Sequence, residues 1–342
     1  MATIFKNLSS DNITSTRTLL HESVPVTGTI VSGSAYDDSN IKNYSHGMFQ
    51  SVYDYPILSS SANHLFDLTC GYATGSHLNV STNSENSKKV NIYGQMAQVL
   101  VGHDSSGNIL EFDNDGNFAT TGDKITEAYF INLSRLLTKD EIKKGTFSLE
   151  IGDGTAYDTP FSSTEIISDA GADTNYRTNS PAGEYGVLYT GSAPFTEGTG
   201  VGLIYYQAGV AVLTASVFGS AIMNTADDEV EAALTGTTIQ DNADDLRHRY
   251  ENMSFNNTIE LNSTIYFCNA NHNEFNYSSN PTYLSSSQIR VKDGNAQKSP
   301  SSYITSVGLY SADNELLATA KLSEPLKKDP SSTLTLRVRL DY

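Results

Sequence analysis

Three side chains in the carboxyl-terminal third have the types and spacing to do chemistry together: Cys268, His272 and Glu274. On continuous extended backbone they share parity, so one sheet face would direct a thiol, an imidazole and a carboxylate to a common point. That set would serve a metal ion or a cysteine nucleophile. No second Cys or His cluster stands at ligand spacing. The expectation is therefore a buried cysteine and a hydrogen-bonded histidine at a strand end, with no catalytic, cofactor-binding or metal-binding residues.

The run Glu111-Phe-Asp113-Asn-Asp115-Gly116 begins like a calcium loop, yet its twelfth position is Gly122, where a bidentate carboxylate belongs. A hairpin turn rich in Gly and Asn is expected instead. The pairs Asp227-Asp228 and Asp244-Asp245 offer two carboxylates each, as glycoside hydrolysis requires. With Arg247 and Arg249 nearby they read as solvated salt bridges on a polar helix face. Neither a Gly-X-Ser-X-Gly elbow nor a Gly-rich loop followed by Lys-Ser or Lys-Thr occurs. The aromatic residues are 20 Tyr and 13 Phe with no Trp, which favours protein contacts over sugar stacking.

The elements that would position these residues are mostly strands. Gly, Ser, Thr, Asn and Tyr are abundant, a mixture that suits short strands and polar turns. A mainly β fold is expected, of antiparallel, sandwich-like units with a few short helices and a C-terminal β-meander. A net charge of −18 with scattered basic residues argues against nucleic acid and anionic membranes as partners. Two cysteines, Cys70 and Cys268, are too few for a disulfide framework and read as free thiols of a reducing compartment. The amino terminus lacks the pattern of a signal peptide, and no export is expected. The apolar stretch from Val201 to Phe218 is interrupted by Gly202, Gln207, Gly209, Thr214 and Ser216, which argues against a membrane span.

Along the chain, residues 1–50 read as an extended arm with strands, 51–160 as mixed β with short helices, 161–250 as a loop-rich region with a central hairpin, and 251–342 as a C-terminal β domain. Helical spacing predicts helices over Ser61–Tyr72 and Ser87–Val101. Thr138-Lys-Asp-Glu141 reads as a capping box opening a short helix that stops at Gly145, between strands over Ile125–Leu137 and Thr146–Ile151. Residues 152–200 read as irregular. Val201–Tyr206 and Val210–Thr214 form a hairpin apolar on both faces, hence central. Residues 224–250 read as weakly helical, and strands are expected over Thr258–Cys268 and Ser287–Val291. Tyr303–Tyr310 and Leu316–Leu322 make a hairpin through Ala312-Asp313-Asn314. After a loop bounded by Pro325 and Pro330, alternation from Leu334 to Tyr342 ends the chain on a core strand.

Several of these segments resemble virion structural proteins of tailed bacteriophages, in particular uncharacterised ones of contractile-tailed phages of cyanobacteria and other marine bacteria. The matching stretches are Ser306-Val-Gly-Leu-Tyr310, Asn314-Glu-Leu-Leu-Ala318, Ala320-Lys-Leu-Ser-Glu-Pro-Leu326, Phe255-Asn-Asn-Thr258, Glu274-Phe-Asn-Tyr-Ser-Ser-Asn-Pro281 and Tyr44-Ser-His-Gly-Met-Phe-Gln50. The resemblance implies a non-enzymatic structural subunit, assembled in the host cytoplasm and residing in the virion, in contact with copies of itself and other virion proteins. Within the particle it implies the tail or baseplate. Alternatives are a neck or capsid-associated protein, a receptor-binding or fibre-attachment protein with host-surface contact, and a glycan-degrading enzyme.

Overall fold

The computed structural model describes residues 5–26, 31–32, 35–36, 38–76, 79, 83–118, 124–153, 161, 163–191, 200–215, 238–278, 280–285, 288–289 and 299–342. The fold is mainly β with antiparallel pairing, as composition predicts. It packs as two compact units, Leu20–Ile259 and Met1–Leu19 with Glu260–Tyr342. This division cuts across the compositional segments. Two long strands, Ile13–Val26 and Tyr250–Ala270, run from one unit into the other.

In the larger unit an antiparallel sheet is ordered Tyr250–Ile259, Ser148–Asp153, Ser163–Ser168, Gly183–Thr190, Gly202–Tyr205, Val210–Thr214, Glu127–Leu133, His64–Tyr72, Gln50–Tyr53, Ile41–Asn43. It curls over itself. Phe66, Leu68 and Ile131 from one end meet Leu149, Ile151 and Tyr250 from the other around a small apolar void, with Leu246 between them. The opposite face is covered by the helix Ser84–Leu100. Asn83 caps that helix, its side chain accepting from the Asn86 amide. Tyr93 on the helix packs edge-on to Phe112 and near Phe130, and its hydroxyl donates to the Ile125 carbonyl at 2.6 Å. Strands between these layers are buried on both faces, and the hairpin Gly202–Tyr205/Val210–Thr214 lies among them as expected.

Four expectations are corrected. Residues His64–Tyr72 form a central strand, not a helix. Burial on both faces removes the alternation that marks a strand, leaving Ala62, Leu65, Phe66 and Thr69 at an accidental helical spacing. Thr138 ends a single helical turn, Arg135–Thr138, and Glu141–Ile142 is a short strand opposite Asn257 and Thr258. The amides of Asp140, Ile142 and Lys143 are taken by Thr258, Tyr206 and Asn256, so no helix can form there. The region 152–200 is not irregular: it contributes the strands Ser163–Ser168, Arg177–Ser180 and Gly183–Thr190 and the turn of helix Ala172–Asn175. Residues 154–160, 162 and 192–199 of it lie outside the described residues.

The fourth correction concerns the end of the chain. The three C-terminal strands exist, but the last, Leu334–Asp341, pairs with Ser263–Ala270 and not with its sequence neighbour. Its alternation is as predicted; its burial is shallow, and Val338 alone of it is buried. In the smaller unit the N-terminal residues lie along Glu260–Ala270, joined by Asn269 to Asn12 at 2.8 Å, Ser15 to Thr264 at 3.2 Å and the Arg17–Glu260 ion pair. The expected arm is thus an in-chain edge strand over Ile13–Leu19.

Candidate functional site

The residues singled out for chemistry do not converge. Strand Tyr250–Ala270 ends before His272, and Asn271–Glu274 is a turn closed by the Glu274 amide on the Asn271 carbonyl, so strand parity does not carry through. Cys268 sits on the apolar face of the smaller sheet, opposite Leu336, and burial raises its thiol pKa. Glu274 pairs with Lys6 at 2.5 Å, and the His272 carbonyl accepts from Lys328. Cys70 is fully buried and its pKa is pushed up to about 12 by burial, the state of an inert thiol. Among the described residues, no three His, Cys, Asp or Glu side chains gather as a metal site would need.

The calcium-like run forms the hairpin turn expected of it. Phe112–Asp113 pairs with Lys124–Ile125, the Gly116 amide donates to the Asp113 carbonyl, and the buried Asp113 carboxylate is held by Lys124 at 2.5 Å. Asp227 and Asp228 lie outside the described residues. Asp244 belongs to the helix Ile239–Arg247, opened by a Thr238/Asp241 capping box. The cation there is buried while its partners reach solvent: Arg247 is 1% exposed and bonds Asp244 at 2.8 Å and Asp38 at 2.9 Å, whose side chains are 31 and 80% exposed. Arg249 is likewise buried. The helix turns these cations inward because Leu246 and Tyr250 beside them line the core.

His248, next in sequence, has its pKa lowered to about 4 by burial first and by the Arg247 charge second, against Asp244 and Asp38. The fold therefore holds a neutral imidazole, which the unfolded chain protonates below about 6.5. Its contribution is present above 6.5 and is lost as pH falls toward 4. Thermal unfolding across that range is expected to show a falling midpoint that His248→Gln flattens. An unchanged slope in the variant would refute this assignment.

The feature that distinguishes the smaller unit is its surface. The contiguous core lies wholly in residues 20–259; in the smaller unit only Ala270, Tyr283 and Val338 are buried apolar residues among those described. Among the described residues, twelve of the twenty exposed large apolar side chains fall in the smaller unit, which holds less than a third of the chain. They include Phe5, Leu261, Tyr303, Tyr310, Leu316 and Leu317. Charge is divided just as unevenly. The smaller unit has ten Lys and Arg against nine Asp and Glu; the larger has eleven against thirty. The whole acidity of the chain thus belongs to residues 20–259.

The hairpin Ser302–Tyr310/Leu316–Lys328 forms a two-stranded sheet of its own within this unit. Its strands were visible in the sequence, but the exposure of Tyr310 and Leu316 was not. The signal that would have found the surface is segmental charge: residues 260–342 hold eight basic and eight acidic side chains in a chain of −18. There, balanced charge lies beside adjacent exposed apolar residues such as Leu316-Leu317.

Among the described residues, no helix is long and apolar enough to cross a membrane. No protein-family model matches the chain, and neither a curated protein nor a solved structure matches it.

Proposed function

We propose that the chain is a non-enzymatic structural subunit of a tailed-phage particle, a tail component placed in the baseplate, which works through contacts with copies of itself and with other virion proteins. The observation that carries the assembly reading is the smaller unit's surface, where apolar side chains concentrate with almost no core beneath them. Such a surface costs solubility in a free protein and is covered in an assembled one. The particle and its baseplate rest on the sequence resemblance alone.

In this reading the larger unit contributes geometry. Its contiguous core and the buried Arg247 held by Asp244 support a body with an acidic composition, suited to basic patches on neighbouring virion proteins. The smaller unit contributes adhesion. The test is to dissociate purified phage particles into heads, tails and baseplates and to follow this chain by mass spectrometry. Enrichment with baseplates is the expected result. Enrichment with heads would overturn the tail placement, and absence from every fraction would overturn the virion reading.

A further inference from the structure

The Ser302–Lys328 hairpin is built in two parts. Its ladder runs from Ser302↔Lys328 to Ile304↔Leu326, breaks, and resumes at Ser306↔Lys321, so that Thr305 alone faces the four residues Leu322–Pro325. Pro325, expected to bound a loop, sits in this bulge, where no ladder amide is required of it. The base is clamped. Lys328 is buried and donates to Asn276 Oδ1 at 2.8 Å, the Asp329 carbonyl at 3.0 Å and the His272 carbonyl at 3.3 Å, while the Ser302 hydroxyl donates to the Phe275 carbonyl.

Beyond the bulge the situation reverses: no residue of Ser306–Tyr310 or Leu316–Lys321 is buried. A two-stranded hairpin with one face exposed and the other, Val307, Leu309, Ala318 and Ala320, only half-buried is at best marginally stable in water. Among the described residues its strands pair only with each other, which leaves its outer edges without a ladder partner there. On one face Gly308 leaves room for its neighbours to fold over the backbone. A Cβ there would lie 2.9 Å from the Tyr310 ring and 3.3 Å from Leu316. The Phe5 ring stands edge-on to Tyr310 at 4.8 Å. Phe5, Tyr310 and Leu316, exposed by 41, 45 and 56%, therefore form one aromatic and aliphatic patch.

We propose that this distal blade, through the Phe5–Tyr310–Leu316 patch, is the site at which a second copy of this chain binds. The inference rests on the assembly reading above and names its surface and partner. Charge selects the partner. Contact through residues 20–259 would set two strongly acidic surfaces against each other, whereas the smaller unit balances ten Lys and Arg with nine Asp and Glu. An uncharged patch is complementary to itself, which a two-fold contact between identical chains requires. A partner chosen for the acidic unit would be basic and would gain nothing from this patch.

The test uses the full chain, with light scattering after size exclusion and sedimentation equilibrium at roughly 0.1 M and roughly 1 M salt, where the Debye length falls from about 10 to about 3 Å. Wild type is expected to self-associate, more tightly at high salt because repulsion between the acidic units is screened. Tyr310→Ser with Leu316→Ser should weaken association by at least about tenfold, from the apolar area no longer buried. Leu58→Ser, at a residue 97% exposed in the larger unit, should leave it unchanged. Circular dichroism reports folding, and Phe5→Ser, which touches no ladder bond, replaces the double variant should that misfold. A monomeric wild type at both salt concentrations, a patch variant that associates like wild type, or equal weakening by Leu58→Ser would each overturn the proposal. A monomer found in baseplates would refute this contact and leave the structural role standing.

Discussion

Gly71→Val is expected to destabilise the chain by about 3 kcal/mol or more, the upper range for forcing volume into a packed interior. Gly71 lies in the central strand His64–Tyr72, beside Ala128 on the neighbouring strand, and the two smallest side chains of that face sit beneath the helix Ser84–Leu100. A Cβ at Gly71 would come within 2.4 Å of the Lys89 carbonyl oxygen and 2.9 Å of the Tyr93 amide nitrogen. Both are helix backbone, which cannot rotate away. Moving the helix would pull Tyr93 from Phe112 and from the Ile125 carbonyl. Against a total stability of about 5–15 kcal/mol, such a loss leaves a marginal fold. Urea denaturation followed by circular dichroism measures it, with Gly71→Ala shifting in the same direction by less. A change under about 1 kcal/mol in the valine variant would mean that helix and strand do not approach so closely.

Asp169→Ala is expected to cost about 3 kcal/mol or more, since three buried donors lose their acceptor at about 1–3 kcal/mol each. Asp169 is 1% exposed, and its carboxylate accepts from the Gly145 amide at 2.8 Å, the Phe147 amide at 2.9 Å and the Tyr206 hydroxyl at 3.0 Å. It thereby fixes the loop that was expected to be a helix and that instead delivers the strand Ser148–Asp153 to the sheet. Alanine leaves those donors without their acceptor in a dry interior. Asp169→Asn keeps one oxygen for the Gly145 amide and the hydroxyl but turns an amide group toward Phe147, so an intermediate loss is expected. Equal melting temperatures for the alanine variant and wild type would show that water replaces the carboxylate without cost.

Elements whose pattern survives burial were legible from sequence. The helix over Ser84–Leu100 carries its own cap and one apolar face; the strand Leu334–Asp341 alternates cleanly because only one of its faces meets apolar neighbours. The central strand His64–Tyr72 was not legible, because a strand buried on both sides has no period to read. Tyr185, Val187, Leu188 and Tyr189 were hidden for the same reason, inside a region whose Gly, Ser, Thr and Asp content suggested loops. Which strand pairs with the last one depends on contacts far apart in sequence, so the expected meander had no local signal to contradict it.

The exposed apolar surface of the smaller unit was only half legible. Hairpin strands follow from β propensity and a turn at Ala312-Asp313-Asn314, yet whether Tyr310 and Leu316 are covered within the chain depends on what else the fold brings to them. Conversely, Cys268, His272 and Glu274 share a direction only on continuous extended backbone, and the turn at Asn271–Glu274 ends that continuity. Arg247 looked like a surface cation and is a core one, because helix Ile239–Arg247 packs its basic end over the apolar void.

The central claim is that the smaller unit's surface is completed only by assembly, and hydrogen exchange read by mass spectrometry on peptides spanning residues 306–321 tests it most directly. The isolated chain, diluted until it is monomeric, is expected to exchange these amides rapidly, while the strand Glu127–Leu133 in the larger core remains protected. In intact particles the same hairpin peptides are expected to become protected. Equal exchange of the hairpin in monomer and particle would contradict the account.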